Sequence, residues 1–149
     1  MAASIDVVLH AIESCKGFDI LVLLQPTSPL RTAQDIDNAI VNMIEEKTDS
    51  CVSVCIPDKS PYWMYKMDNN NLISPLIETK NIFHNRQSLP DIYALNGAVY
   101  VAKIEFLIEQ KTFISNKTSG YIMPKERSID IDEELDFIIA ESIANSKQF

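Results

Sequence analysis

Glycine is scarce in this chain, with three in 149 residues, at Gly17, Gly97 and Gly120. None lies in a glycine-rich loop, so no segment offers the run of backbone N–H groups that wraps a nucleotide triphosphate. Cysteine is equally rare: Cys15, Cys51 and Cys55 are odd in number and lack the spacing of a disulfide framework. With no histidine or further cysteine close by, Cys51 and Cys55 read as reduced thiols of a strand over 51–56, not as a metal pair. Long apolar runs are missing too; Ile20–Leu24 is far too short to cross a bilayer. The start has no basic stretch leading into an apolar one, so the expected location is cytoplasmic, without a membrane partner. Positive charge is the minority, 13 basic residues against 21 acidic, for a net charge of −8. That field repels nucleic acid, and it leaves a small anionic substrate held by a few basic side chains or a divalent cation.

What is present suits one soluble domain over residues 1–149, with 46% hydrophobic and 23% charged residues. Ser4 stands where it can cap a helix whose apolar positions are Ile5, Val8, Leu9 and Ile12, and Gly17 stops it. The unalternating run from Asp19 to Leu24 predicts a strand buried on both faces of a parallel sheet. Pro26 and Pro29 end it in a rigid turn. Thr32 and Asp35 then start a helix with Ile36, Ala39, Ile40, Met43 and Ile44 on one face. Together with the strand at 51–56, this order of elements predicts an α/β fold. An insertion over about 58–95 interrupts it. There Tyr62–Met67, the turn Asn69–Asn71 and Leu72–Ile73 predict a hairpin. The pattern resumes with a strand at Ala98–Ala102, a helix at Lys103–Glu109, strand-like pieces at Tyr121–Met123 and Ser128–Ile131, and a last helix with Leu135, Ile138, Ile139 and Ile143 on one face.

Three segments carry candidate chemistry. Leu24–Arg31 (LQPTSPLR) follows a strand end, where open α/β sheets bind ligands. Its prolines present Gln25, Thr27, Ser28 and Arg31 on a stiff frame, and the Gln25 amide suits sugar hydroxyls. In the second segment, Arg86–Tyr100, Arg86 is a guanidinium able to pair with a substrate carboxylate, whereas Asn96–Gly97 alone reads as turn chemistry. The third, Glu126–Phe137, holds Asp130 and Asp132 at i and i+2, so on a strand they share a side and form an oxygen-rich site suited to Mg2+. Asp132 can equally cap the last helix.

In order and spacing these three segments resemble the acylneuraminate cytidylyltransferase (CMP-sialic acid synthetase) family, from about Ser4 to the end of the chain. The resemblance implies a Rossmann-like nucleotidyltransferase fold, N-terminally truncated, with the insertion serving as a dimerisation hairpin. It implies attack of an acidic nine-carbon sugar's anomeric hydroxyl on the α-phosphate of CTP, with Mg2+ as cofactor. Asp130 and Asp132 would be the metal-holding, catalytic pair. Gln25, Asn96 and Tyr100 would bind substrate, and Arg86 would meet the sugar's carboxylate side. In the implied homodimer, Phe113, with Ile114, would line the partner's sugar pocket. The family's opening strand and glycine-rich CTP loop have no counterpart here, so the 149 residues alone are expected to turn CTP over poorly and to leave Ile20–Leu24 with an unpaired edge. Some relatives carry a lysine after the position of Pro61, where this chain has Tyr62–Trp63. That leaves legionaminic-type and Kdo-type acids as alternative sugars, and a non-catalytic dimerising fragment as the rival of another class.

Overall fold

Strand β1 is only four residues, Ile20–Leu23, but its side chains serve two layers. Ile20 and Val22 pack with Ile36 and Ile40 against a buried cluster of Ala39, Met43, Cys51, Ala98, Val99, Val101 and Met123. Leu21 and Leu23 pack against a second cluster of Val8, Ile12, Ala102, Phe106 and Leu107. The apolar run does not alternate because helices cover both of its faces. These are α2 (Ala33–Glu45) on one side and α1 (Ser4–Ser14) with α3 (Ile104–Gln110) on the other.

The computed structural model describes residues 4–78 and 89–146, which form two units, one within Met1–Cys55 and Leu95–Phe149 and the other within Ile56–Ala94. The first unit holds a four-stranded sheet in the order β1-β5-β2-β6, with β2 at Ser50–Cys55, β5 at Ala94–Lys103 and β6 at Thr118–Ile122. The sheet is mixed. β2 and β6 are parallel, but β1 pairs antiparallel with β5, Leu23 standing opposite Tyr100. This corrects the expectation of a parallel setting for β1. Among the described residues β1 is also an edge strand, which is why all four of its residues are only half-buried. The α/β class expected from the order of elements holds.

Helix α2 starts as the sequence predicts. Thr32 Oγ1 accepts from the Asp35 N–H at 3.3 Å, and Asp35 Oδ2 accepts from the Thr32 N–H at 2.9 Å, a reciprocal capping box. Ala39 and Met43 are buried and Ile36 and Ile40 partly so, whereas Ile44 is exposed. Gly17 ends the segment after α1 at φ +92°, which favours glycine. Cys51 is a buried core thiol, and burial pushes its pKa up.

One expectation fails in the last third. Residues 128–131 form no strand; they follow a 3-10 turn at Lys125–Arg127 and lead irregularly into α4 (Glu134–Ser146). The expected apolar face of α4 is largely in solvent, with Leu135, Ile138 and Ile139 exposed, while Ala140 is the residue it buries. The α4 start is tied by Asp136, whose Oδ2 accepts from the N–H groups of Asp132 and Glu133 at 3.1 and 3.0 Å. Asp132 therefore meets this helix start through its backbone, where the sequence suggested a side-chain cap.

The second unit contains the expected hairpin, β3 (Tyr65–Met67) antiparallel to β4 (Ile73–Pro75), after a 3-10 turn at Pro61–Trp63 capped by Ser60. Asp68 Oδ1 accepts from the N–H groups of Asn70 and Leu72 at 2.8 and 2.9 Å, and Asn71 takes a left-handed φ of 62°. All six strand residues are exposed.

Candidate active site

The turn after β1 is built by its own residues. The Ser28 N–H donates to Gln25 O at 3.3 Å, closing a turn with Pro26 at its second position, where a fixed φ is favoured. Arg31 Nη1 donates to Gln25 O at 2.6 Å and to Ser28 O at 2.7 Å, so the guanidinium braces the turn from within. Ser28 is fully buried and its Oγ donates to Asn96 O at 3.3 Å, joining the turn to β5. Because β1 and β5 run antiparallel, the start of β5 lies beside the end of β1, and the first two sequence segments meet there.

They meet at Gly97, whose φ of +72° disfavours any side chain. A Cβ on Gly97 would lie 2.7 Å from Gln25 Oε1, 3.3 Å from Asp130 Oδ2 and 3.5 Å from Ser28 Oγ. Three oxygen-bearing side chains therefore crowd one backbone position that only glycine leaves open. The third segment is brought in by its backbone, the Ile131 N–H donating to Thr27 O at 2.8 Å.

Asp130 Oδ1 is buried and, among the described residues, has no hydrogen-bond partner. A buried acceptor without a donor is costly to leave so, which points to a group that arrives from outside the chain. The oxygens that crowd the Gly97 Cβ position beside the other carboxylate oxygen, Asp130 Oδ2, are Gln25 Oε1 and Ser28 Oγ, hard ligands of the class that suits Mg2+. Among the described residues no three His, Cys, Asp or Glu side chains stand together as a metal cage. Mg2+ does not need one, since it keeps several waters and takes one or two carboxylates with substrate phosphates. The residues present fit that ion.

The other expected site residues divide. Tyr100 is half-buried on β5; burial and then the Asp130 charge push its phenol pKa up. Phe113 packs edge-on against Tyr100 of its own chain, ring centroids 5.5 Å apart at 62°, and joins the second core cluster. Within its own chain Phe113 thus borders Tyr100. Asp132 is exposed and does not share a strand face with Asp130. Arg86 lies outside the described residues.

Asn96 is held by the fold itself. Its Oδ1 accepts from Ser53 Oγ at 2.6 Å and from the Ala98 N–H at 3.2 Å, and its Nδ2 donates to Ser128 Oγ at 2.9 Å and to Met123 Sδ at 3.4 Å. These contacts use both acceptor and both donor positions of the amide. Asn96 instead ties β2, β5 and the segment before Asp130 together.

Sequence reasoning gave no role to Arg127. Its Nε and Nη2 donate to Asp35 Oδ2 and Oδ1 at 2.9 and 2.8 Å, and Tyr121 OH donates to the same carboxylate at 3.1 Å. No local pattern signals a partner 92 residues away.

No family model matches the chain. Curated relatives do. It is 28% identical to a post-translational flagellin modification protein B of Campylobacter coli over 95% of this chain and 60% of that protein. It is 31% identical to an N-acylneuraminate cytidylyltransferase of Escherichia coli over 98% of this chain and 35% of that protein. It is 35% identical to a CMP-N,N'-diacetyllegionaminic acid synthase of Legionella pneumophila over 88% of this chain and 56% of that protein. The chain thus spans between about a third and three-fifths of the length of these relatives. The mixed α/β sheet is compatible with a Rossmann-like nucleotidyltransferase fold. Three segments thus converge on Gly97, and along nearly its whole length the chain is similar to N-acylneuraminate cytidylyltransferase and CMP-legionaminic acid synthase sequences.

Proposed function

We propose that this chain forms the sugar and metal side of a CTP-dependent cytidylyltransferase that activates an acidic nine-carbon sugar. The observation that carries the reading is the convergence of Gln25, Ser28 and Asp130 around Gly97, with Asp130 Oδ1 buried and unpartnered. In the reaction, the sugar's anomeric oxygen bonds to the α-phosphorus of CTP, the bond to the bridging oxygen breaks, pyrophosphate leaves and the hydroxyl proton is released. Such transfers depend on positioning and charge neutralisation more than on covalent help from the protein.

Asp130, with Asp132, would hold Mg2+, which when bound neutralises charge on the phosphates. Gln25, on its braced turn, orients the sugar through its amide, and Tyr100 bounds the sugar's place from β5. The raised pKa keeps the Tyr100 phenol protonated at neutral pH, so it donates a hydrogen bond. Arg86 pairs with the sugar's carboxylate. Asn96 keeps Asp130 and Gln25 on one frame without touching substrate. The 35% identity to the legionaminic acid enzyme supports a legionaminic-type acid as the second reading for the sugar.

The hairpin supports a homodimer. Tyr65, Met67 and Ile73 on the three-residue strands, with Trp63, Met64 and Leu72 beside them, are all exposed, and such ribbons are marginal in water without a partner surface. Among the described residues no helix is long and apolar enough to cross a membrane.

The test is pyrophosphate release by the complete gene product with CTP, Mg2+ and a panel of N-acylneuraminic, legionaminic-type and Kdo-type acids. Release with a nine-carbon acid is expected. Binding of CTP and sugar without release would support the non-catalytic rival, and indifference to every acid would end the reading.

A further inference from the structure

Asp130 lies on a stretch with no regular secondary structure, between the 3-10 turn at Lys125–Arg127 and α4. A ligand carboxylate must be held to within about half an ångström, which such a backbone does not do by itself. Three ties hold it here. Ile131 N–H bonds Thr27 O, Ser128 Oγ bonds the Asn96 amide, and Arg127 forks onto Asp35.

The third tie differs in where it leads. Asp35 is fully buried, and its Oδ2 also accepts from the N–H and hydroxyl of Thr32, at 2.9 and 2.8 Å. Thr32 directly follows Arg31, whose guanidinium grips Gln25 O and Ser28 O. One carboxylate thus stands between the residues that shape the Gln25 turn and those that lead to Asp130. We propose that Arg127 is the positioning residue of Asp130, and that the Arg127–Asp35 pair locks the Asp130 segment to the Gln25–Arg31 turn so that both sides of the site keep one geometry. The inference rests on the reading of Asp130 as a ligand group. A lysine could not do this work, because the planar fork matches both carboxylate oxygens and an ammonium meets only one. Capping of α2 does not require Arg127, since Thr32 and Asp35 complete that box between them.

The test is amide hydrogen exchange on Arg127→Lys. The Ile131 N–H, bonded to Thr27 O, should lose at least about tenfold in protection, while the Lys103 N–H, bonded to Asp49 O at the far end of β5, keeps its rate. Equal protection at Ile131 in both proteins would overturn the proposal, and so would a matching loss at Lys103, which marks general loosening. If Arg127→Lys does not fold, Asp35→Asn carries the same test: it keeps the side chain's shape and an acceptor for Thr32 but weakens the fork. Its outcomes are read in the same way. Mn2+ titration followed by its paramagnetic signal separates this proposal from the metal reading. Arg127→Lys should weaken Mn2+ about tenfold, towards the behaviour of Asp130→Asn. If Asp130→Asn binds Mn2+ as well as the parent, the metal reading fails, and exchange at Ile131 still decides the positioning role. In the complete gene product kcat should fall about tenfold with the sugar KM little changed; a change in KM alone would count against positioning.

Discussion

Gly97 approaches Gln25 so closely that a Cβ on the glycine would stand 2.7 Å from Gln25 Oε1. Two costs therefore meet in Gly97→Ala: the positive φ and the collision. We expect a loss of about 2–3 kcal/mol, most of it from the positive φ, since Gln25 Oε1 ends a flexible side chain that can turn aside. Gly17→Ala is the control, because its φ is +92° but nothing lies within 4 Å of its Cβ position. It should lose only about 1–2 kcal/mol. Urea denaturation of both variants measures the difference, and equal losses would remove the crowding from the account.

Asp130→Asn is expected to weaken Mn2+ binding by tenfold or more while leaving the unfolding midpoint unchanged or raised. A carboxylate oxygen that is buried without a donor gains nothing from its charge in the metal-free fold. Calorimetric titration paired with thermal unfolding reads both quantities. A clear fall in stability with intact Mn2+ binding would make Asp130 structural.

Acid should act through Asp35. Burial works to raise its pKa, but the hydrogen bonds from Arg127 and from the Thr32 backbone and hydroxyl outweigh it and bring the value from 3.8 to about 2. The folded state therefore binds this proton more weakly than the unfolded state. Its contribution, of order 2 kcal/mol, is complete above about pH 5 and is lost as the pH falls through 4 towards 2. Chemical denaturation between pH 5 and pH 2 should show that slope for the parent, and Asp35→Asn should flatten it.

Asn96→Ala should cost about 2–4 kcal/mol, since it leaves Ser53 and Ser128 without their buried partner. Sugar affinity, measured by calorimetry on the folded fraction, should change less than it does in Gln25→Ala. The reverse order would return Asn96 to the substrate.

Sedimentation at micromolar concentration should show a dimer for the parent. Replacing Trp63, Met67 and Ile73, exposed by 41%, 67% and 61%, with serine should yield a monomer with unchanged helix content. A monomeric parent would end the proposed role of the hairpin.

Local chemistry was legible in the residue order alone. The Thr32–Asp35 capping box, the stop at Gly17, the two-sided apolar run of β1 and the β3–β4 hairpin each arise from side chains within a few positions of one another. The motif at Leu24–Arg31 was legible for the same reason, since prolines and a turn act on their own neighbours. The partner and the face of each segment were not. Whether β1 lies parallel or antiparallel to its neighbour depends on which strand wins the pairing, and β5, which begins at Ala94, 71 residues beyond the end of β1 at Leu23, won it. That antiparallel pairing sets Gly97 against Gln25, turns a commonplace Asn-Gly into the floor of the site and consumes the Asn96 amide in the core. Likewise the Arg127–Asp35 fork spans 92 residues, and among the described residues Leu135, Phe137, Ile138 and Ile139 of α4 stay exposed. Propensity and capping act over a few residues, whereas pairing and burial are settled by the whole chain competing for the same surfaces, and the site of this protein was made by the second.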